Sequence, residues 1–379
     1  MPGWEIINKQ EKQAINKLFE EGGCLFDHGF HNVRKKFHVR EFEKKLGTKF
    51  NCKNVLAVSS GTSAIKIALK ALGVKPGHEV ITQAFNFVAT VEAIIEVGAT
   101  PIICNVDDTL NMCEKDLKDK ITKKTKVIIP VHMLGVSVDL TKILNIAKKN
   151  KIKVLEDNCE AVGAKYKRKY LGTLGDMGIF SFDFSKTITT GEGGAILTNN
   201  SKLDKYCREY HDHGHQNNKR YPRGRDTVGI SGFNYRMTEM QAVVGKTQLT
   251  KLNYILKENK LRYQILEKSL DGVIKIRKIP KNSTSIYDTF IFTVKEKNKK
   301  KEVIEFLKKN IGTKNLPDAI KWHCAYFWKH MLTKKQIKNS IKTKNILEAN
   351  IAIPILLKQS KKKYSEISKK LKKILLNNT

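Results

Sequence analysis

Residues 178–194 read GIFSFDFSKTITTGEGG. The strand-like run Ile179-Phe180-Ser181-Phe182 stops at Asp183, and Gly191, Gly193 and Gly194 supply a turn that Ala195-Ile196-Leu197-Thr198 leaves as a second strand. Between the strands stands Lys186, flanked by Ser185, Thr187, Thr189 and Thr190. A lysine in a tight loop between apolar strands has little room to reach water. The expectation is a lowered pKa and a nucleophilic amine. The competing reading is a surface hairpin lysine in a Lys-rich chain, and the loop alone does not separate the two.

Working outward, short apolar strands alternate with helices. Strands are expected at 55–58, 79–82, 101–105, 126–131 and 153–156, with helices at 64–72, 87–97 and 140–149. This alternation is the mark of a mainly parallel sheet covered by helices on both faces, an α/β fold. Ligands then bind beyond the carboxyl ends of the strands. Two amphipathic helices, 11–21 and 38–46, precede the pattern, and helices at 234–249 and 252–270 follow it. Beyond them come a strand at 286–294 and helices at 302–309 and 364–376. The division expected is an N-terminal segment and large domain over 1–251 and a small α+β domain over 252–379.

The 379 residues carry 71 basic and 37 acidic side chains, a formal charge of +34, and are 40% hydrophobic. That apolar fraction supports a real core. The charge raises a polyanionic partner, but its lysines interleave with apolar residues throughout, which reads as a solvated surface. No nucleic-acid partner is therefore expected. Seven scattered cysteines form no C-x-x-C pair, which suggests neither a zinc site nor a disulfide framework and fits a reducing cytoplasm. The start lacks a signal-peptide pattern, and no apolar run is long enough to span a membrane.

The strand ends carry the chemistry. Gly61-Thr62-Ser63 opens a helix, where free N–H groups and the helix dipole favour a phosphate; plain helix capping is the alternative. Phe87 follows the next strand and either stacks on a flat ring or fills the core. His132 ends another strand. Asp157 ends the strand from 153, where a buried carboxylate needs a cation or donor, and a protonated ring nitrogen would serve. A lysine for an imine, an aspartate for a pyridinium, a hydroxyl-rich turn for phosphate and an aromatic for a ring face together suit pyridoxal phosphate. No G-x-G-x-x-G or P-loop occurs. His211-Asp212-His213-Gly214-His215 lacks a matching partner cluster, and no metal is expected.

At this point the chain resembles the DegT/DnrJ/StrS group of pyridoxal-phosphate sugar aminotransferases, of fold-type I. The matching stretches are SSGTSA (59–64), FNFVAT (85–90), VHMLG (131–135), LEDNCEAVG (155–163), FSFDFSKTITTGEGG (180–194) and GFNYRMTEMQA (232–242). The resemblance implies that Lys186 is the Schiff-base lysine and proton shuttle, and that Asp157 pairs with the pyridine nitrogen. It implies Glu160 near the cofactor's phenolic oxygen, where many relatives have Gln, and Phe87 on the ring. Gly61, Thr62, Ser63 and Ser181 would surround the phosphate, and Asn234 would reach the cofactor of a neighbouring subunit in a homodimer. His132, His213, His215 and Arg236 would lie near the substrate. L-Glutamate is the implied donor and a keto sugar the acceptor.

Within the group, the MPGWE start, VHM in place of VHLYG, the SFD-x-x-KTIT-x-GEGG loop and DHGH (212–215) look like the 8-amino-3,8-dideoxy-octulosonate aminotransferases of lipopolysaccharide synthesis. Leu134 replaces the usual Tyr of VHLYG. The alternatives are an aminotransferase for nucleotide-linked 4-keto-6-deoxy-hexoses, a sugar dehydratase, in which His replaces the lysine, and a basic nucleic-acid-binding regulator.

Overall fold

The computed structural model describes residues 3–27, 29, 34–218 and 220–377. Met1 and Pro2 of the MPGWE start lie outside the described residues. The strands are β1 Asn54–Val58, β2 Glu79–Gln83, β3 Thr100–Cys104, β4 Thr125–Ile129, β5 Lys153–Asp157, a short hairpin of β6 Lys165–Tyr166 and β7 Lys169–Tyr170, then β8 Met177–Ser181 and β9 Gly194–Thr198. The central sheet has the order β1-β9-β8-β5-β4-β2-β3. From β3 to β8 every pairing is parallel, and β9 runs against both β8 and β1. The 178–194 stretch is thus an antiparallel hairpin inserted in a parallel sheet.

Period-two alternation explains why both faces are covered. Leu56, Val58, Ile179 and Ile196 face one layer, with α3 Gly61–Ala71, α4 Val88–Glu96 and α7 Ser201–Tyr210. Val55, Ala57, Phe180, Ala195 and Leu197 face the opposite layer, under α2 His38–Phe50 and α8 Glu239–Leu270. Along the same face, α6 Leu140–Lys149 covers Ile81, Ile128 and Val154. The first helix is α1 Lys9–Glu20, and a short α5 Glu114–Lys120 follows β3.

α8 is one helix of 32 residues, about 48 Å long at 1.5 Å per residue. The two helices expected at 234–249 and 252–270 are joined, and the start moves to 239 because Thr238 forms a capping box with Gln241. Position 251/252 lies inside it. We propose the two-domain division with α8 shared: Leu249 and Leu252 pack under the central sheet, while Tyr263, Leu266 and Leu270 pack into a second core.

That second core surrounds β10 Lys275–Ile276, β12 Thr289–Thr293 and β13 Asn350–Pro354, an antiparallel sheet of order β10-β12-β13. β11 Ser283–Thr284 pairs instead with β6. α9 Lys297–Asn310 and α13 Lys361–Leu376 cover the sheet, and α10 Ile320–His323, α11 Lys334–Asn339 and α12 Ile341–Glu348 lie between them in sequence. The strand expected at 286–294 is shorter because Tyr287 has a left-handed φ of 56° and Asp288 turns inward to Lys314 at 2.6 Å. Among the described residues, no helix is long and apolar enough to cross a membrane.

Candidate active site

Lys186 sits at the carboxyl end of β8, in a loop held by its own hydroxyls. The Asp183 carboxylate accepts the Ser185 N–H at 2.9 Å and its hydroxyl at 2.5 Å. The Thr189 hydroxyl donates to the Phe182 carbonyl at 3.1 Å and accepts the Gly191 N–H at 2.9 Å. The Lys186 carbonyl accepts the N–H of Gly3 at 3.1 Å, so the start of the chain is hydrogen-bonded to this loop. With its backbone fixed, the lysine side chain turns into a cavity of about 450 Å³ that Asp157, Phe87, Glu160 and Ser181 also line. It is not a surface hairpin lysine.

Asp157 is 4% exposed, the last residue of β5. Its Oδ2 accepts the Thr90 hydroxyl at 2.8 Å and its Oδ1 the Cys159 N–H at 3.2 Å. Two donors fix a buried carboxylate that is aimed at the cavity.

The wall opposite is the start of α3. The N–H groups of Gly61 and Thr62 have no intrahelical partner, by helix geometry. Gly61 leaves room there: a Cβ at this position would lie 2.9 Å from Ser181 Cβ. Thr62 and Ser181 line the cavity beside it. Ser63 does not. Its hydroxyl donates to the Ser60 carbonyl at 2.8 Å and accepts the Ser60 N–H at 3.0 Å, so it closes the capping box rather than facing a ligand. Phe87 is 43% exposed at the cavity mouth, its ring centroid 5.4 Å from that of His323.

Glu160 accepts the Leu134 N–H at Oε2 (3.0 Å) and places Oε1 3.8 Å from Lys186 Nζ. Burial works to raise its pKa, but Lys186, then His323 and Lys314, hold the carboxyl below its ordinary range. The expectation of a lowered lysine pKa is overturned. Burial does act to lower it, but the negative charge of the carboxylates, Glu160 first and then Asp183 and Asp157, outweighs burial and holds the Lys186 amine above its ordinary value.

The remaining expected residues stand elsewhere. His132 is fully buried: its Nδ1 accepts the Val138 N–H at 3.3 Å, so Nε2 carries the proton toward Glu156 Oε2 at 3.1 Å. Glu156 also collects the N–H groups of Gly172, Leu174 and Gly175. The histidine therefore braces a loop and does not line the cavity. His213 is exposed with a left-handed φ of 54°, and His215 Nδ1 lies 3.5 Å from Asp226. Arg236 and Arg223 share the buried carboxylate of Asp212, and Arg236 also covers the Phe26 ring. Asn234 is exposed. Asn234, Arg236 and the 213–215 segment all lie outside this chain's own cavity.

The lining residues outside the expected set include Thr90, Asn315 and His323, the last within the 322–330 run that its aromatic and histidine side chains mark in the sequence as a candidate substrate loop. Thr90 falls one turn along α4 within FNFVAT, a helical spacing that carries it back toward the strand ends. His323 donates from Nδ1 to the Ala319 carbonyl at 2.8 Å, leaving Nε2 unprotonated, and burial lowers its pKa. It and Asn315 come from the small unit, where no strand-end pattern marks them.

A sequence profile of the DegT/DnrJ/EryC1/StrS aminotransferase family matches residues 26–372. The chain is 35% identical over 285 residues to the GDP-perosamine synthase of Escherichia coli O157:H7, covering 75% of this chain and 74% of that one. It is 41% identical over 216 residues to the GDP-perosamine synthase of Caulobacter vibrioides, 57% of each chain. The solved aminotransferase of Psychrobacter cryohalolentis superposes with a TM-score of 0.83 at 24% identity, over 97% of this chain and 96% of that one.

Proposed function

Since the chain belongs to the DegT/DnrJ/EryC1/StrS aminotransferase family, we propose that it moves an amino group from L-glutamate to a keto sugar destined for a cell-surface polysaccharide, with an oxidised 3-deoxy-octulosonate as acceptor. One observation carries the chemistry: Lys186, Asp157 and the open start of α3 converge on a single cavity. That arrangement fits the family's pyridoxal phosphate. Lys186 would attach it, Asp157 would face its ring nitrogen, Phe87 would lie against the ring, and Gly61, Thr62 and Ser181 would take its phosphate. Bound there, the cofactor supplies a carbonyl that carries the amino group and a ring that accepts an electron pair from the donor's Cα.

The chain's own residues do the rest. The Asp157 carboxylate favours a proton on a ring nitrogen. Nζ of Lys186, when free, would take a proton from the donor carbon in one half of the reaction and deliver one to the acceptor carbon in the other. Residues 183–191 keep that amine close to the site. Asn234, Arg236, His213 and His215 serve the cavity of a second copy in our reading, because in their own chain they lie outside it; a homodimer follows. We place the reaction in the cytoplasm, in keeping with seven free cysteines.

The acceptor rests on VHM, the KTIT-x-GEGG loop and DHGH. A second reading, a nucleotide-linked 4-keto-6-deoxy-hexose, draws on the GDP-perosamine synthases among the relatives. A dehydratase with His at the lysine position is disfavoured by Lys186 itself. The test supplies pyridoxal phosphate and glutamate and measures 2-oxoglutarate released with each keto sugar. Turnover with the oxidised octulosonate above that with GDP- and UDP-linked 4-keto hexoses is expected; the reverse order replaces the first reading with the second.

A further inference from the structure

Besides the exposed Glu192, three carboxylates stand close to Lys186, and two of those are already committed. Asp157 has one oxygen on the Thr90 hydroxyl and the other on the Cys159 N–H. Asp183 Oδ1 takes the Ser185 N–H and hydroxyl within its own loop. Glu160 differs. Its Oε2 is pinned by Leu134, which leaves Oε1 facing Nζ at 3.8 Å. The pin is itself built at a cost: Leu134 takes φ 49° and ψ 45°, a left-handed conformation a branched side chain seldom adopts. Its neighbour Met133 is held through its carbonyl by the buried guanidinium of Arg277, which also binds the Thr109 carbonyl. The strained turn is therefore supported from the Met133 side, and what it delivers is one N–H to one carboxylate.

We propose that Glu160 is the positioning residue that keeps the proton on Lys186 and so sets the pH above which the amine is free to attack a carbonyl. This rests on the pyridoxal-phosphate reading of the cavity. The other charged and titratable groups facing the pair are Asp157 and Cys159 from the end of β5, Asp183 and Glu192 from the lysine loop, and His323, Lys314 and Arg277 from the small unit. Lys314 and Arg277 act on Glu160 and keep it charged, which strengthens its hold. An amide at this position would offer no charge. The carboxylate thus confers an alkaline shift in the availability of the lysine.

The test uses the full chain freed of cofactor. The rate of pyridoxal phosphate capture, followed by visible absorbance, is measured against pH for wild type, Glu160→Gln and Glu160→Asp. In parallel, the amines are reductively methylated with 13C-formaldehyde and titrated by NMR, with the Lys186 signal assigned by its loss in Lys186→Arg. For Glu160→Gln we expect both midpoints to fall by about one pH unit or more; for Glu160→Asp, which keeps the charge, midpoints nearer to wild type. Midpoints in Glu160→Gln within a few tenths of wild type overturn the proposal, as do equal shifts in both variants. Should the wild type capture no pyridoxal phosphate, the cofactor reading fails, while the amine titration still decides the Glu160–Lys186 pair.

Discussion

In the proposed reaction Lys186 is the residue on which turnover would depend, and its loop is held by backbone and hydroxyl bonds rather than by its own side chain. Lys186→Ala should therefore abolish 2-oxoglutarate release while leaving the circular dichroism spectrum unchanged. Gly61→Ala should weaken pyridoxal phosphate binding about tenfold, because overpacking against Ser181 costs on the order of 1–3 kcal/mol; fluorescence titration of the cofactor-free protein measures it. His132→Ala should act on folding instead. It breaks a fully buried bond to Glu156 and should cost about 2–3 kcal/mol in urea unfolding. A rise in KM without that loss would return His132 to the substrate. His211 adds a pH dependence: burial lowers its pKa from 6.5 to about 4, so it is neutral in the fold. Its contribution is fully present above about pH 6.5 and is lost as pH falls through about 4, and His211→Gln should flatten that part of the stability profile. Lys186 and Asp157 were legible in the sequence because strand ends face the ligand side of a parallel sheet. His132 ends a strand too, but spacing says nothing about which way a ring turns after the last residue, and Ser63 could serve the cap or a phosphate with the same three letters around it.

The unit that ties the site together is α8. Gly245 lies against Phe42 of α2 and Thr190 of the lysine loop, where a Cβ would come within 2.6 Å and 2.9 Å. Alanine in an exposed helix would stabilise by about 0.5–1 kcal/mol. Here the clash outweighs propensity, so Gly245→Ala should lower stability by about 1–3 kcal/mol and loosen cofactor retention, read by thermal unfolding and by dialysis of the loaded enzyme. The sheet strands were legible from their apolar runs, and α2, α3, α4 and α6 from their periodicity. α7 was not read, since SKLDKYCREY offers polar and charged residues around a narrow apolar stripe of Leu203, Cys207 and Tyr210. β13 was also missed, although all five residues of Asn350–Pro354 are buried. Its pairing with β12 joins residues about sixty apart, and a long-range partner leaves no local mark.

For the molecule as a whole, charge is unevenly spread. From residue 271 onward there are 27 basic and 8 acidic side chains, many of them exposed lysines on α9 and α13. A field of this sign concentrates anions at the surface. For an anionic sugar acceptor, kcat/KM should fall several-fold between low and physiological salt, while unfolding midpoints change little; a flat salt profile would separate the lysines from catalysis. The excess was legible as composition, but its clustering on one unit emerges only when the small sheet is seen to carry both Lys-rich helices. The hydrogen bond from the Gly3 amide to the Lys186 carbonyl has a practical meaning at this scale. A Cβ at Gly3 would sit 2.7 Å from that carbonyl, so the backbone there runs flush against the catalytic loop. A substitution at Gly3 therefore reaches the lysine loop from outside the cavity, and Gly3→Ala should shift the position of that loop without altering any residue that lines the site.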